Sequence, residues 1–398
     1  MSIIRGLIGF AFIFLIAFLF CKEKKNIKYK NIILMIVIQV LLTFLLLNTG
    51  VGLTILSAIS DFFTWLTAQG MAGCDFVFGG ITVAKGSSVF FFNVLMPLVF
   101  ISALIGILKW LGVLDFIVKW IGWIFNKVTG LGEVESYVPI ATTLLGSPQI
   151  FMTIQSQIKK MNFNQLFTVC LTVISGMSAS MLASYMTMID GKYVVIAVVL
   201  NLFSGLIISA IMNPYNEKIA TADEEVTKEK AEKEPKEPFF SMLGDYISSG
   251  FNLAIIVAAM CIGFISLISF LNNGLAAICG ISFTDILGYV FAPIAYVIGV
   301  PLQDVVKIGG LMATKLLTNE FVAMGQVASM TTLTAKSVAM ISVYLVSFVN
   351  FGTLGIISGA VKSISEEKAK DVAKFSLKLI LGGTLAGLLS AAIVGLFF

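Results

Sequence analysis

Two hydrophobic stretches turn polar at their centres, and the residues that interrupt them are the ones able to do chemistry. Residues 141–151 read ATTLLGSPQIF and residues 313–321 read ATKLLTNEF. Both carry the frame A-T-x-L-L, at an offset of 172 residues, and then change character. In the first, Gly146 and Pro148 stop a helix, while Ser147 and Gln149 set donors and acceptors beside the freed amide groups. In the second, Asn319 and Glu320 do the same. Non-helical backbone at membrane depth is tolerated only where protein or a water-filled cavity supplies hydrogen-bond partners. A carboxylate there is costly and marks a functional site; the alternative is a Glu near a hairpin tip that merely reaches surface water. For Gln149 the alternative is a satisfied structural amide.

A third group follows. Asn350 and Thr353 are three residues apart, which places them on one helical face, with Phe348 close by. An Asn offers a donor and an acceptor to a hydroxyl-rich ligand, and a Phe offers a flat apolar face. Together these residues describe a small polar solute with several hydroxyls and a ring. Helix–helix packing is the competing use of Asn, Thr, Ser and Gly in membranes.

The elements that must position these residues are membrane helices. Of 398 residues, 58% are hydrophobic and 12% charged, against about 25% charged in soluble domains. Apolar runs at Gly6–Cys21, Asn31–Leu47, Val89–Leu108, Tyr193–Met212, Leu253–Leu271 and Leu379–Phe398 have the length of a bilayer crossing. The first is followed by lysines rather than a small-residue cleavage site, which predicts an anchored helix. No histidine occurs, so the commonest general base and metal ligand is missing. The cysteines Cys21, Cys74, Cys170, Cys261 and Cys279 have no paired or metal-ligand spacing and read as small buried hydrophobes. No basic patch with interleaved aromatics suggests nucleic acid.

Each half of the chain repeats one order: a span, an interrupted segment, and a span broken at mid-depth. The first half has Val89–Leu108, then Tyr137–Ile158, then Phe163–Met188 broken at SGMSAS (175–180). The second has Leu253–Leu271, then Leu311–Met330, then Val338–Val361 broken at FVNFGT. If both interrupted segments are re-entrant hairpins, eight helices cross and the repeats are inverted. With both termini outside, 20 of the 26 Lys and Arg face the cytoplasm, including those of 22–30, 215–238 and 362–378. The six outside are Arg5, Lys85, Lys192, Lys307, Lys315 and Lys336. The expected division is 1–87 (N-terminal helices and an interfacial segment), 88–214 (first repeat), 215–238 (cytoplasmic linker) and 239–398 (second repeat).

The stretches ATKLLTNEFVAM, VSFVNFGTLGII, FAPIAYVIGVP and ASYMTMIDGKYVV resemble the concentrative nucleoside transporter family, in its bacterial nucleoside-permease branch. The resemblance implies an all-α membrane protein of eight transmembrane helices and two re-entrant hairpins in an inverted repeat. It also implies a homotrimer that imports nucleosides by ion-driven, elevator-like alternating access across the bacterial inner membrane. Glu320 matches the family's ribose-binding carboxylate, with Asn319 beside it. Asn350 and Thr353 match the ribose-binding Asn and Ser of the broken seventh helix, Phe348 the Phe packed by the ligand, and Met181 joins the substrate set. At the first hairpin the family usually has G-Q-[ST]-E where this chain has GSPQ, so Ser147 and Gln149 leave base preference open. Sodium-driven members use an Asn and a Ser at positions matched by Thr142 and Gly176, with Ser175 adjacent. Losing two ligands favours a proton carried on Glu320 over sodium, and no other cofactor is expected.

A channel would also place polar residues at mid-depth but needs a continuous lined pore. An intramembrane enzyme is disfavoured by the missing His, Asp pair and GxS-type nucleophile.

Overall fold

In hydrocarbon every backbone N–H and C=O must find its partner within the chain, and a helix does this within one segment. A computed structural model describes residues 2–21, 23–79, 81, 89–129, 133–215 and 237–398, and it is helical throughout, with no strand among these residues. Most of the expected linker, residues 216–236, lies outside the described residues.

Three helices open the chain: α1 (Ser2–Leu19), α2 (Tyr29–Asn48) and α3 (Gly50–Phe78). A π-helical turn leads into α4 (Pro97–Trp110), which is followed by α5 (Val113–Thr129). The first hairpin comprises α6 (Glu133–Leu145), α7 (Ser147–Thr153) and α8 (Gln155–Lys160). The first broken helix is α9 (Phe163–Ser175) and α10 (Ala179–Met186), and α11 (Gly191–Met212) closes the first repeat. Then come α12 (Phe239–Cys279) and α13 (Phe283–Val297). The second hairpin is α14 (Val305–Leu317) with α15 (Glu320–Ser329), and the second broken helix is α16 (Ala335–Leu345) with α17 (Phe351–Ile364). The last helix is α18 (Glu366–Gly395).

Both interrupted segments and both broken spans thus fall where the sequence puts them. The lengths of three other elements do not. The lysine-rich 362–378 stretch is helical on both sides of Ser365, which caps a helix whose first turn holds Glu366 and Glu367. Residues Gly50–Phe78, within the 1–87 division of N-terminal helices and an interfacial segment, form one helix of 29 residues, apolar enough to cross a membrane by length and composition. Helix α12 runs for 41 residues, about 60 Å at 1.5 Å per residue and twice the ~30 Å hydrocarbon core. Of the five cysteines, four are buried as expected, while Cys279 is exposed at the end of α12.

The breaks are held from outside. Gln39 of α2 donates to the Leu200 carbonyl (2.7 Å) and to Ser204 Oγ (2.8 Å). Ser204 and Ser390 share a hydrogen bond of 2.9 Å, Ser390 donates to Asn201 Oδ1 (2.7 Å), and Asn201 Nδ2 donates to the carbonyl of Val346. A polar chain through α2, α11 and α18 therefore ends on a carbonyl that the break in α16–α17 leaves without a helical partner. Gly383 of α18 lets this packing close, since a Cβ there would come within 2.7 Å of the Val349 side chain.

A second clamp sits at the foot of the second hairpin. Buried Asp304 accepts from the Thr334 backbone N–H (3.0 Å), Thr334 Oγ1 (2.8 Å) and Ser337 Oγ (2.6 Å), joining the start of α14 to the N-terminus of α16. Burial pushes the carboxyl upward, but the bonds from Ser337 and Thr334 outweigh it and hold Asp304 below its ordinary value. A depressed carboxylate stabilises fully above its unfolded value of about 3.9 and loses that contribution as pH falls through the folded value. Asp304→Asn should therefore cost about 1–3 kcal/mol at neutral pH, read as a lower unfolding midpoint in detergent. The difference between the two proteins should shrink as the pH is lowered below about 4.

Candidate functional site

The hairpin tips and the breaks meet. At the first tip Gly146 adopts φ +96°, a left-handed conformation suited to glycine, and donates its N–H to the Thr142 carbonyl (2.8 Å). Pro148 lies in the first turn of α7, where its missing N–H costs nothing. At the second tip Asn319 caps α15 by accepting from the Val322 N–H (3.0 Å). The two breaks touch directly, because the Phe348 N–H donates to the Gly176 carbonyl at 3.1 Å.

A cavity of about 390 Å³ opens at this crossing, within the ~300–1,000 Å³ usual for small-molecule sites. Glu320, Asn319, Asn350, Thr353, Gln149, Ser178 and Ser180 are among the polar residues that line it. Phe348, Met181 and Leu145 supply apolar walls, and α12 adds Ser249 and Asn252. Polar groups thus line a mostly apolar chamber, which suits a solute with a hydroxylated part and a flat part.

Glu320 is 3% exposed and is not unpaired: Tyr185 Oη donates to its Oε1 at 2.7 Å, and Asn350 Nδ2 donates to its Oε2 at 3.3 Å. Asn350 is not on a helical face with Thr353, as the spacing suggested. It is extended and caps α17, its Oδ1 accepting from the Thr353 N–H (2.8 Å) and Thr353 Oγ1 (3.0 Å). The cap uses the amide oxygen, which leaves the amide nitrogen for Glu320.

Every expected substrate residue whose side chain is described lines the cavity: Gln149, Asn319, Glu320, Phe348, Asn350, Thr353 and Met181. The side chain of Ser147 lies outside the described residues. The two other coupling candidates stand apart from the cavity. Thr142 is buried beside Gly176, and its hydroxyl has no partner among the described residues. Ser175 donates back to the Leu171 carbonyl (2.7 Å) within α9.

Comparison with known proteins decides what this architecture belongs to. Residues 193–395 match the C-terminal model of Na+ dependent nucleoside transporters, residues 8–81 its N-terminal model, and residues 91–192 a nucleoside-recognition gate model. The purine nucleoside transport protein NupG of Bacillus subtilis is 36% identical, with 100% of both chains covered. The chain belongs to the concentrative nucleoside transporter family.

Nucleoside permease NupC of Helicobacter pylori is 28% identical over 100% of this chain and 98% of its own. CNTnw in an inward-facing, substrate-bound state superposes with a TM-score of 0.91 at 28% identity, covering 100% of this chain and 98% of that one. An outward-facing form of CNTnw gives a TM-score of 0.92 with the same coverage. The protein is a multi-pass membrane transporter for nucleosides and not an enzyme.

Two buried residues beside the cavity escape a reading of spacing alone. Tyr185 belongs to a broken span, and only folding sets its hydroxyl on Glu320. Lys315 counts as an outer-face lysine in the charge tally, yet it is 1% exposed. Removing the Tyr185 hydroxyl leaves Glu320 Oε1 without its buried donor, a loss of about 1–3 kcal/mol. Tyr185→Phe should weaken nucleoside binding about tenfold in calorimetry on the purified protein, because the carboxylate is no longer held in its receiving orientation.

Proposed function

We propose that this transporter imports nucleosides across the bacterial cytoplasmic membrane in symport with a proton, with purine nucleosides accepted at least as well as uridine. The observation that carries the reading is Glu320: a buried carboxylate lining the cavity between Tyr185 and Asn350. Hydroxyl donors on a ribose bind a carboxylate more strongly than a neutral amide, and the same group can take up and release a proton. No other carboxylate lies in the hairpins' tips or the breaks. Gln149 and Ser180, both neutral, also line the cavity and suit the varied edges of a purine. The relative named as a purine nucleoside transport protein supports that preference.

Movement fits an elevator. Hydrogen bonds join the second hairpin to both broken helices and the two breaks to each other, and CNTnw has inward-facing, outward-facing and intermediate states. We take the assembly to be a homotrimer, as the family resemblance implies, and α12 offers a long apolar surface for it through Phe240, Ile262 and Phe270. A sodium-driven reading has one observation in its favour: the buried Thr142 hydroxyl, without a partner among the described residues, where α6 and α9 end. The family models' description as Na+ dependent agrees with it.

Uptake into proteoliposomes under separate proton and sodium gradients tests both. With proton coupling, Glu320→Gln should lose accumulation against a gradient while equilibrative exchange survives, with nucleoside binding about ten- to a hundredfold weaker. Sodium-driven accumulation retained by the same variant would shift the coupling to Thr142. In the same vesicles Gln149→Ala should change the purine-to-uridine ratio by about fivefold, one hydrogen bond's worth. An equal loss for every nucleoside would make Gln149 structural.

A further inference from the structure

The second hairpin buries a cation as well as a carboxylate. Lys315, in the last turn of α14, directs its ammonium at the Tyr344 carbonyl and the Ser347 hydroxyl, with the Tyr344 ring centroid 4.4 Å away. No carboxylate comes within 4.0 Å of it among the described residues. Tyr344 belongs to the last turn of α16, whose final carbonyls have no intrahelical partner. The ammonium therefore rests where the negative ends of two helices, α14 and α16, converge. Glu320 has the opposite surroundings. It begins α15 and bonds to the cap of α17, so two positive helix ends face it.

The first repeat acts as an internal control. The offset of 172 residues pairs Lys315 with Thr143, Tyr344 with Thr172 and Ser347 with Ser175. There too a hairpin arm, α6, and the first half of a broken helix, α9, pack together and end near one another. Yet Thr143 donates to the Pro139 carbonyl (3.0 Å) and Ser175 to the Leu171 carbonyl (2.7 Å), each inside its own helix. Among the described residues, hairpin side chains bond to the break of their own repeat at the second crossing and not at the first, and the two that do so, Lys315 and Glu320, are charged.

We propose that Lys315 is a tethered cation: its ammonium locks the second hairpin onto the end of α16 and balances Glu320, so this crossing keeps its binding geometry without a free ion. It is a positioning residue. It does not line the cavity, whereas Thr318, Asn319 and Glu320, just beyond it, do. Burying an ammonium is costly unless its hydrogen bonds are met. Here a carbonyl, a hydroxyl and an aromatic face meet it, and its charge offsets that of Glu320, five residues on, when the carboxyl is ionised.

The test measures nucleoside binding to purified transporter at constant pH and sodium, in choline chloride or methylammonium chloride of equal ionic strength. Lys315→Met keeps the stem without charge; Lys315→Ala leaves room for a small cation. Both should bind about tenfold more weakly in choline. Methylammonium should recover most of the loss for Lys315→Ala and leave the wild type and Lys315→Met unchanged. Wild-type affinity in Lys315→Met, or a folded Lys315→Ala indifferent to methylammonium, overturns the proposal. If Lys315→Ala does not assemble, Lys315→Arg must bind more tightly than Lys315→Met, and equal affinities overturn it. Failure of all three to fold in either salt would make the lysine a folding requirement and overturn it too.

Discussion

A backbone hydrogen bond joins the two repeats at the points where each is least able to satisfy itself. The Phe348 N–H donates to the Gly176 carbonyl, 3.1 Å away, and these two residues are related by the same offset of 172 that relates the hairpins. Breaking a helix at membrane depth frees amide and carbonyl groups that hydrocarbon cannot accept. Here each break answers part of the other's need. That mutual dependence requires the hairpin tips, the breaks and the surrounding helices to stay in fixed relation, and it opens a polar chamber without exposing backbone to lipid.

The helix ends created by the breaks then decide where charge can sit. N-terminal ends face Glu320 and C-terminal ends face Lys315, so two ionisable groups are held in the interior without a direct ion pair. Tyr185 and Asn350 supply the remaining donors to the carboxylate. The arrangement is strict about direction: a hairpin of the opposite polarity would set the negative ends of helices against Glu320.

Around this unit the other helices act as walls and tethers. The Gln39–Ser204–Ser390–Asn201 chain reaches the Val346 carbonyl from the far side, and Asp304 fastens the foot of the second hairpin. Both are polar networks with named partners, which in a dry interior specify one packing over its alternatives. Helix α12 contributes Ser249 and Asn252 to the chamber and leaves most of its other surface apolar.

Much of this was legible in the chain itself. Apolar runs of bilayer length set the class, and the Gly146–Pro148 and Asn319–Glu320 interruptions located both hairpin tips. Gln149, Asn319, Glu320, Asn350 and Thr353 stood out because polar side chains inside apolar runs are costly, and all five line the chamber; Met181 came only with the family resemblance. What one dimension cannot express is which polar group meets which. Asn350 and Thr353 showed a helical spacing, but Asn350 is an N-cap, because the break ends there and its side chain replaces a lost turn. Lys315 counted as a surface charge, since its four-carbon stem can in principle carry the ammonium to water, and only the packing of α14 on α16 closes that route. Tyr185 gave no signal, as a Tyr in an apolar run needs only some partner, and its distance from Glu320 along the chain is 135 residues. Local chemistry determined where this protein interrupts its helices; the crossing of those interruptions in space decided which groups face one another, because hydrogen bonds and helix-end fields act over a few ångströms and not along the chain.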